Sequence, residues 1–150
     1  RSGKIFPVLK MSNGAIIAVD FGLKRVGLAV CDPDRKVAVG AGTLVGLSGR
    51  TLARTIKKQA EDRHADTILI GMPPEGAHGV EDVITGADNL AKALGKLKFT
   101  VIRWDEEFST AKALSDRKKY GGKSKSNKLW IDESAAILIL QDYLKNNSAG

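Results

Sequence analysis

The sequence predicts an α/β domain on a mixed five-stranded sheet flanked by helices. Three observations carry that expectation: two short apolar runs joined by a five-residue turn near the start, a later alternation of strand-like and helix-like segments, and a length that suits one core. A chain of 150 residues, 43% hydrophobic and 27% charged, can bury one sizeable core and is too short for two ordinary domains with a cleft between them. The domain is assigned to residues 11–150, because Met11 stands directly before the first strand-like segment; residues 1–10 are read as an expression remnant or a disordered leader.

Each element follows from local pattern. Ala15-Ile-Ile-Ala-Val-Asp20 is an apolar run ending in a carboxylate, and Val26-Gly-Leu-Ala-Val-Cys31 follows after Phe21-Gly-Leu-Lys-Arg25, so the two read as a hairpin. A third strand is expected over 37–45, weakened at its ends by Gly40, Gly42 and Gly46. From Arg50 the period changes: Leu52, Ala53, Ile56 and Ala60 share one helical face, with Arg54, Lys57 and Lys58 opposite, which predicts a surface helix. Thr67-Ile-Leu-Ile70 is a short unbroken strand, and the prolines and glycines of 71–79 make a loop at its carboxyl end. Val80, Val83, Ile84, Ala87, Leu90, Ala91, Leu94 and Leu97 keep helical spacing, and 99–104 returns to strand. A further helix is expected from Ser109 or Thr110, broken by Gly121-Gly122. The last helix is expected from Asp132 to Lys145, apolar almost all round and therefore largely buried. No internal repeat is present. Two antiparallel strands first, then strands entered through crossover helices, suit a ribonuclease H-like topology.

Composition narrows the function classes. The longest apolar run, 135–140, is six residues, far short of the roughly 20 that cross a bilayer, so no membrane association is expected. One cysteine, Cys31, can form neither an intrachain disulfide nor a thiolate cluster, which suits a reducing compartment. His64 and His78 are too few and too scattered for a His-based metal site. Net charge is +7, and six basic residues with no acid lie between 117 and 128, so the excess is concentrated in one segment. Such a segment attracts a polyanion by releasing its counterions. Lys118, Lys119, Lys123, Lys125 and Lys128 are the candidate nucleic-acid contacts there, as a mobile flap, with Lys24 and Arg25 of the first hairpin as further candidates.

Asp20 ends an otherwise apolar strand, where an isolated carboxylate is costly to desolvate unless a cation or donors face it. Asp105, Glu106 and Glu107 are three successive acids after another strand, and charges so close raise one another's pKa unless a divalent ion offsets them. Asp132 starts the last helix, where capping is its ordinary task. Together, carboxylates from a central strand, a second strand end and a helix start suit a two-metal site. Mg²⁺ or Mn²⁺ takes oxygen ligands and keeps several waters, and two such ions can activate a water and stabilise the leaving oxygen of a phosphodiester. Asp20, Glu106 and Asp132 are therefore the expected catalytic, metal-binding residues, with Asp105 a further candidate ligand. No G-x-S-x-G elbow competes with them, and Cys31 has no evident His partner.

The runs Ala18-Val-Asp-Phe-Gly-Leu-Lys-Arg-Val-Gly-Leu-Ala-Val30, Ile68-Leu-Ile-Gly-Met-Pro73, Asp105-Glu-Glu-Phe-Ser-Thr110 and Asp132-Glu-Ser-Ala-Ala-Ile-Leu-Ile-Leu-Gln-Asp-Tyr-Leu144 resemble the YqgF/RuvX family across nearly the whole chain from Met11. The resemblance implies a ribonuclease H-like fold in the cytoplasm and a metal-dependent nuclease that matures the 5′ end of pre-16S ribosomal RNA or resolves Holliday junctions. By the same resemblance the family's strand-one aspartate falls on Asp20, its Asp-Glu pair on Asp105 and Glu106, and its last-helix aspartate on Asp132. Two positions depart from the family. Its usual Asp-Glu-Arg is here Asp105-Glu106-Glu107, an anion in place of a cation, and Pro74, Glu75 and Gly76 stand where members carry an Asn-x-Asp-Gly segment.

Three other readings compete. Asp20-Phe-Gly22 followed by Gly27 also matches the phosphate hairpin of actin, Hsp70 and sugar-kinase folds, but those pair two such domains around ATP. A catalytically silent module could grip RNA with its basic segment alone. Finally, a resolvase cuts two strands symmetrically and favours a homodimer, whereas trimming one RNA end suits a monomer equally well.

Overall fold

The apolar run that ends at Asp20 becomes the central strand, β1 (Ala15–Asp20), of a five-stranded sheet. The computed structural model describes residues 14–72, 79–105 and 125–147. Within them β1 is followed by β2 (Arg25–Cys31), β3 (Ala38–Val45), α1 (Gly49–Asp62), β4 (Ala65–Met72), α2 (Glu81–Lys96), β5 (Thr100–Asp105) and α3 (Lys125–Asn147). The sheet order is β3-β2-β1-β4-β5. β1–β2 and β2–β3 pair antiparallel, as hairpin-connected strands do, while β1–β4 and β4–β5 pair parallel across helical connections. The mixed sheet and crossover helices anticipated from the sequence are thus present.

Every residue of β1 is buried, because helices cover both faces of the sheet at its centre. Period-two alternation divides the strand between two cores. Ile17 and Val19 pack with Leu52 and Ile56 of α1 and Leu90 and Leu94 of α2. Ile16 and Ala18 pack with Ala136, Ile139 and Leu140 of α3.

Two expectations need correction at α3. The helix begins at Lys125 rather than Asp132, because no Gly or Pro interrupts 123–149 and nothing in the backbone stops the last turns from extending backwards. Asp132 therefore lies in the body of the helix and is not its cap, and Lys125 and Lys128 belong to a helix rather than to an irregular flap. The helix is also not buried all round. Asp132, Ala135, Ala136, Ile139 and Leu140 are buried against the sheet, whereas Ile137 and Leu138 are only partly covered, since a helix lying on a sheet hides one side. The helix expected from Ser109 or Thr110, and residues 118–124 of the basic segment, lie outside the described residues, as does 73–78 of the loop after β4.

Candidate active site

Asp20 closes β1 on the side of the sheet that α3 covers, in step with Ile16 and Ala18, and it is buried, at 4% exposure. Its neighbours in the sheet are both glycines: Gly27 across the antiparallel ladder and Gly71 across the parallel one. Neither of these directly paired residues carries a side chain. The turn that follows is tight, since a Cβ on Gly22 would lie 2.6 Å from the Arg25 carbonyl oxygen. The Gly46 N–H donates to the Lys24 carbonyl at 3.1 Å, which ties the hairpin to the end of β3.

Asp132 reaches the same place from α3. Gly27 makes this possible: a Cβ there would collide with the Asp132 carbonyl and the peptide that follows it, so only glycine lets the helix backbone rest on β2. Gly40 gives the same clearance to the Glu133 side chain, whose Oε2 accepts the Gly42 N–H at 2.7 Å. At the far end Trp104 pins α3 to β5, donating from Nε1 to Asp142 Oδ2 at 2.9 Å and meeting the Tyr143 ring edge-on at 5.2 Å. The helix is held at Asp132–Glu133 and again at Asp142–Tyr143, so the position of Asp132 is set by packing.

Arg25 completes the arrangement. Its Nε donates to Asp132 Oδ2 at 2.7 Å, a charge-assisted bond in which the carboxylate is 3% exposed and the guanidinium side chain 27%. Arg25, Gly27 and Ala29 alternate onto the α3 face of β2, which is why the arginine turns inward while the adjacent Lys24 is exposed.

Of the residues singled out in the sequence, Asp20 and Asp132 are thus brought to one edge of the sheet on one face. Asp105 ends β5 at the same edge: Gly71 pairs with both Asp20 and Trp104, and Asp105 is one residue beyond Trp104, opposite Met72. Glu106, Glu107, Lys118, Lys119 and Lys123 lie outside the described residues; Lys125 and Lys128 lie on α3 ahead of Asp132. Among the described residues no three His, Cys, Asp or Glu side chains gather as a metal cluster. The two buried carboxylates present only hard oxygen donors, the set that Mg²⁺ or Mn²⁺ requires.

Residues 14–146 match the family model described as RuvX, Holliday junction resolvase. The chain belongs to the RuvX family. Relatives of similar length include a protein of Nitrobacter winogradskyi named "Putative pre-16S rRNA nuclease", 34% identical over 89% of this chain and 82% of its own. Proteins of the same name from Nitrobacter hamburgensis and Streptomyces avermitilis are 36% and 31% identical, over 88% and 91% of this chain and 82% and 88% of their own. Among solved structures, T. thermophilus RuvC in complex with a Holliday junction substrate matches with a TM-score of 0.54 at 10% identity, over 90% of this chain and 97% of that one. The fowlpox virus resolvase with its Holliday junction DNA matches with a TM-score of 0.52 at 13% identity, over 88% and 97%. The fold is therefore ribonuclease H-like, as the order of elements predicted.

RuvX membership accounts for the motifs but not for two contacts that the structure adds. Sequence pattern places Arg25 among the nucleic-acid contacts and is silent on its bond to Asp132, 107 positions away, which no local pattern reports. Gly27 does carry a signal, because an isolated glycine inside an apolar strand often marks a close backbone approach.

Proposed function

We propose that this RuvX-family nuclease uses a divalent metal to hydrolyse phosphodiester bonds in structured nucleic acid, and that its substrate is the 5′ end of pre-16S ribosomal RNA in the cytoplasm. The observation that carries this reading is the convergence of two buried carboxylates, Asp20 and Asp132, on either side of Gly27 at one sheet edge. Burying two like charges together is unfavourable unless cations face them. Arg25 supplies such a charge at Asp132, and the two carboxylates offer the hard oxygen donors that Mg²⁺ or Mn²⁺ takes.

Asp20 and Asp132 would hold the metal, with Glu106 as the third ligand. Glu106 is taken as the acid of the Asp-Glu pair that the family resemblance places at the end of β5, with Asp105 a further candidate ligand. When bound, the metal supplies an activated water and offsets the charge that develops on the leaving oxygen. The protein's own contribution is placement. Asp20 is fixed by the central strand, Asp132 by the glycine-lined seat of α3, and the phosphate backbone is drawn in by Lys24 and the basic residues between 118 and 128.

The choice of RNA rests on the names carried by relatives that align over most of their length. The family model's own description favours a second reading, resolution of branched DNA, a symmetric reaction that a homodimer would suit. The two separate in one experiment, in which end-labelled 16S precursor RNA with a 5′ extension and a four-way DNA junction are each incubated with the protein in Mg²⁺. Defined shortening of the RNA is the expected result. Paired nicks in the junction alone would move the assignment to the second reading, and cleavage of neither in Mg²⁺ or Mn²⁺ would leave a silent binding module.

A further inference from the structure

We infer that Arg25 and the divalent cation compete for Asp132, and that bound nucleic acid relieves this competition by drawing the guanidinium onto its phosphates, so that cation and nucleic acid bind with positive coupling through Arg25. The inference rests on the reading of Asp132 as a metal ligand.

Three features of the pair support it. First, the bond is short and its two ends are unequally wet: Asp132 is buried at 3% exposure, while Arg25 at 27% stands at the mouth of the hairpin beside exposed Lys24. The mobile partner, on physical grounds, is the one that water and solutes already reach. Second, among the described residues the guanidinium bonds Asp132 through Nε alone, leaving the Nη donors to turn towards another anion. A planar guanidinium suits phosphate as well as carboxylate, so transfer from one to the other exchanges like for like. Third, a guanidinium 2.7 Å from one carboxylate oxygen places a positive charge beside any cation on the same carboxylate, and two cations around one buried carboxylate repel. Each therefore lowers the other's occupancy, and whatever removes the guanidinium raises the affinity for metal. By linkage the effect is mutual: metal that displaces Arg25 makes it available to a phosphate. Arg25 acts here as a positioning residue, through Asp132 and not on the reacting atoms.

The test needs no turnover. Binding of Mn²⁺ to the full chain, followed by the decrease of the free-ion EPR signal, should be about tenfold tighter in Arg25→Gln than in the wild type, in the range usual for coupled sites. In a second arm, Ca²⁺ replaces the active metal and the affinity for a labelled RNA hairpin is read by fluorescence anisotropy. Ca²⁺ should tighten hairpin binding about tenfold in the wild type and much less in Arg25→Gln. Arg25→Lys keeps a cation but loses the planar fork; it should bind Mn²⁺ about threefold tighter than wild type and retain part of the coupling, and it decides the matter if circular dichroism shows Arg25→Gln unfolded. Mn²⁺ affinity that is unchanged or weaker in the folded variants makes Arg25 a fixed support for Asp132 and overturns the inference, while Mn²⁺ binding by the wild type leaves the proposed metal site standing. A wild-type chain that binds no Mn²⁺ overturns both.

Discussion

Gly27 lies directly under the main-chain carbonyl of Asp132, with no side chain between β2 and α3 at that point. The contact joins the two halves of the candidate site, since Gly27 is also the cross-strand partner of Asp20. Adding a methyl group there meets backbone, which cannot swing aside as a side-chain tip would. Gly27→Ala should therefore push α3 away from β2 at Asp132, lower stability by about 1–3 kcal/mol and move Asp132 relative to Asp20. A shift in the urea midpoint together with abolished cleavage is the expected outcome; wild-type activity in Gly27→Ala would mean that the spacing of the two carboxylates is not critical.

Asp20→Asn keeps the shape of the side chain and removes its charge. If Asp20 binds the metal, cleavage should fall by more than the roughly 10–100-fold typical of groups that merely support a ligand. The fold should be retained, because the change removes a charge buried at 4% exposure and opens no cavity. Cleavage by the wild type should also stop in excess chelator, return with Mg²⁺ or Mn²⁺, and be poor with Ca²⁺, whose coordination is looser. Full activity of Asp20→Asn at saturating Mg²⁺ would remove this residue from the site.

The successive acids Asp105, Glu106 and Glu107 should separate by position. Glu106→Gln is expected to abolish cleavage as Asp20→Asn does, whereas Asp105→Asn and Glu107→Gln should retain most of it. Glu107 stands where the family usually carries arginine, so Glu107→Arg is expected to strengthen binding of nucleic acid by placing a cation near the phosphates. Rate constants for the four variants on one labelled substrate rank them directly, and a larger defect in Glu107→Gln than in Glu106→Gln would shift the ligand by one residue.

The legibility of this chain follows the range of each interaction. Strands 15–20, 25–31 and 65–72 are readable because their apolar runs report burial on both faces, and α1 and α2 because Leu52, Ile56, Leu90 and Leu94 recur at the helical period. The start of α3 is misread for a local reason: lysine and serine residues ahead of Leu129 look like loop composition, yet none of them ends a helix. Asp20 stands out as a charge at the end of an apolar strand. Asp132 taken alone resembles a cap; its role is legible in the sequence only beside Asp20 and the acids after Trp104, and its seat on Gly27 and its bond to Arg25 come from the structure. These contacts join residues more than 100 positions apart, so periodicity carries no trace of them.

Cys31 offers a check on the core that is independent of catalysis. The thiol is buried between β2 and α3, and burial pushes its pKa above the ordinary 9.0, outweighing the opposing hydrogen bond from the Ile16 backbone and the charge of Arg35. The folded protein thus keeps this proton to a higher pH than the unfolded chain does. The thiol's share of stability is intact below about pH 9 and disappears as the pH rises through the raised value. Native protein should react slowly with a disulfide reagent at pH 8 and at the ordinary thiol rate once unfolded in urea. Fast reaction of the native protein would show that α3 opens readily from β2.

The basic segment supplies the last prediction, which concerns binding rather than chemistry. Lys125 and Lys128 occupy the first turn of α3, one to two turns ahead of Asp132, and Lys123 precedes them in sequence. A phosphate backbone that meets this turn is therefore delivered beside the helix that carries Asp132, whatever its base sequence. Replacing Lys123, Lys125 and Lys128 together with alanine should weaken binding to RNA and to branched DNA alike. The log–log slope of affinity against salt should flatten by up to about 0.9 for each phosphate that the protein no longer neutralises on duplex DNA. Stability should stay within about 0.5 kcal/mol, because the substitutions precede the buried positions 132, 135, 136, 139 and 140 of the helix and alanine is the best helix former. Cleavage at saturating substrate should survive, which separates this variant from Asp20→Asn. An unchanged salt slope in the triple variant would leave phosphate binding to Lys24 and to residues 118 and 119, and the same titration on those lysines would then locate the surface.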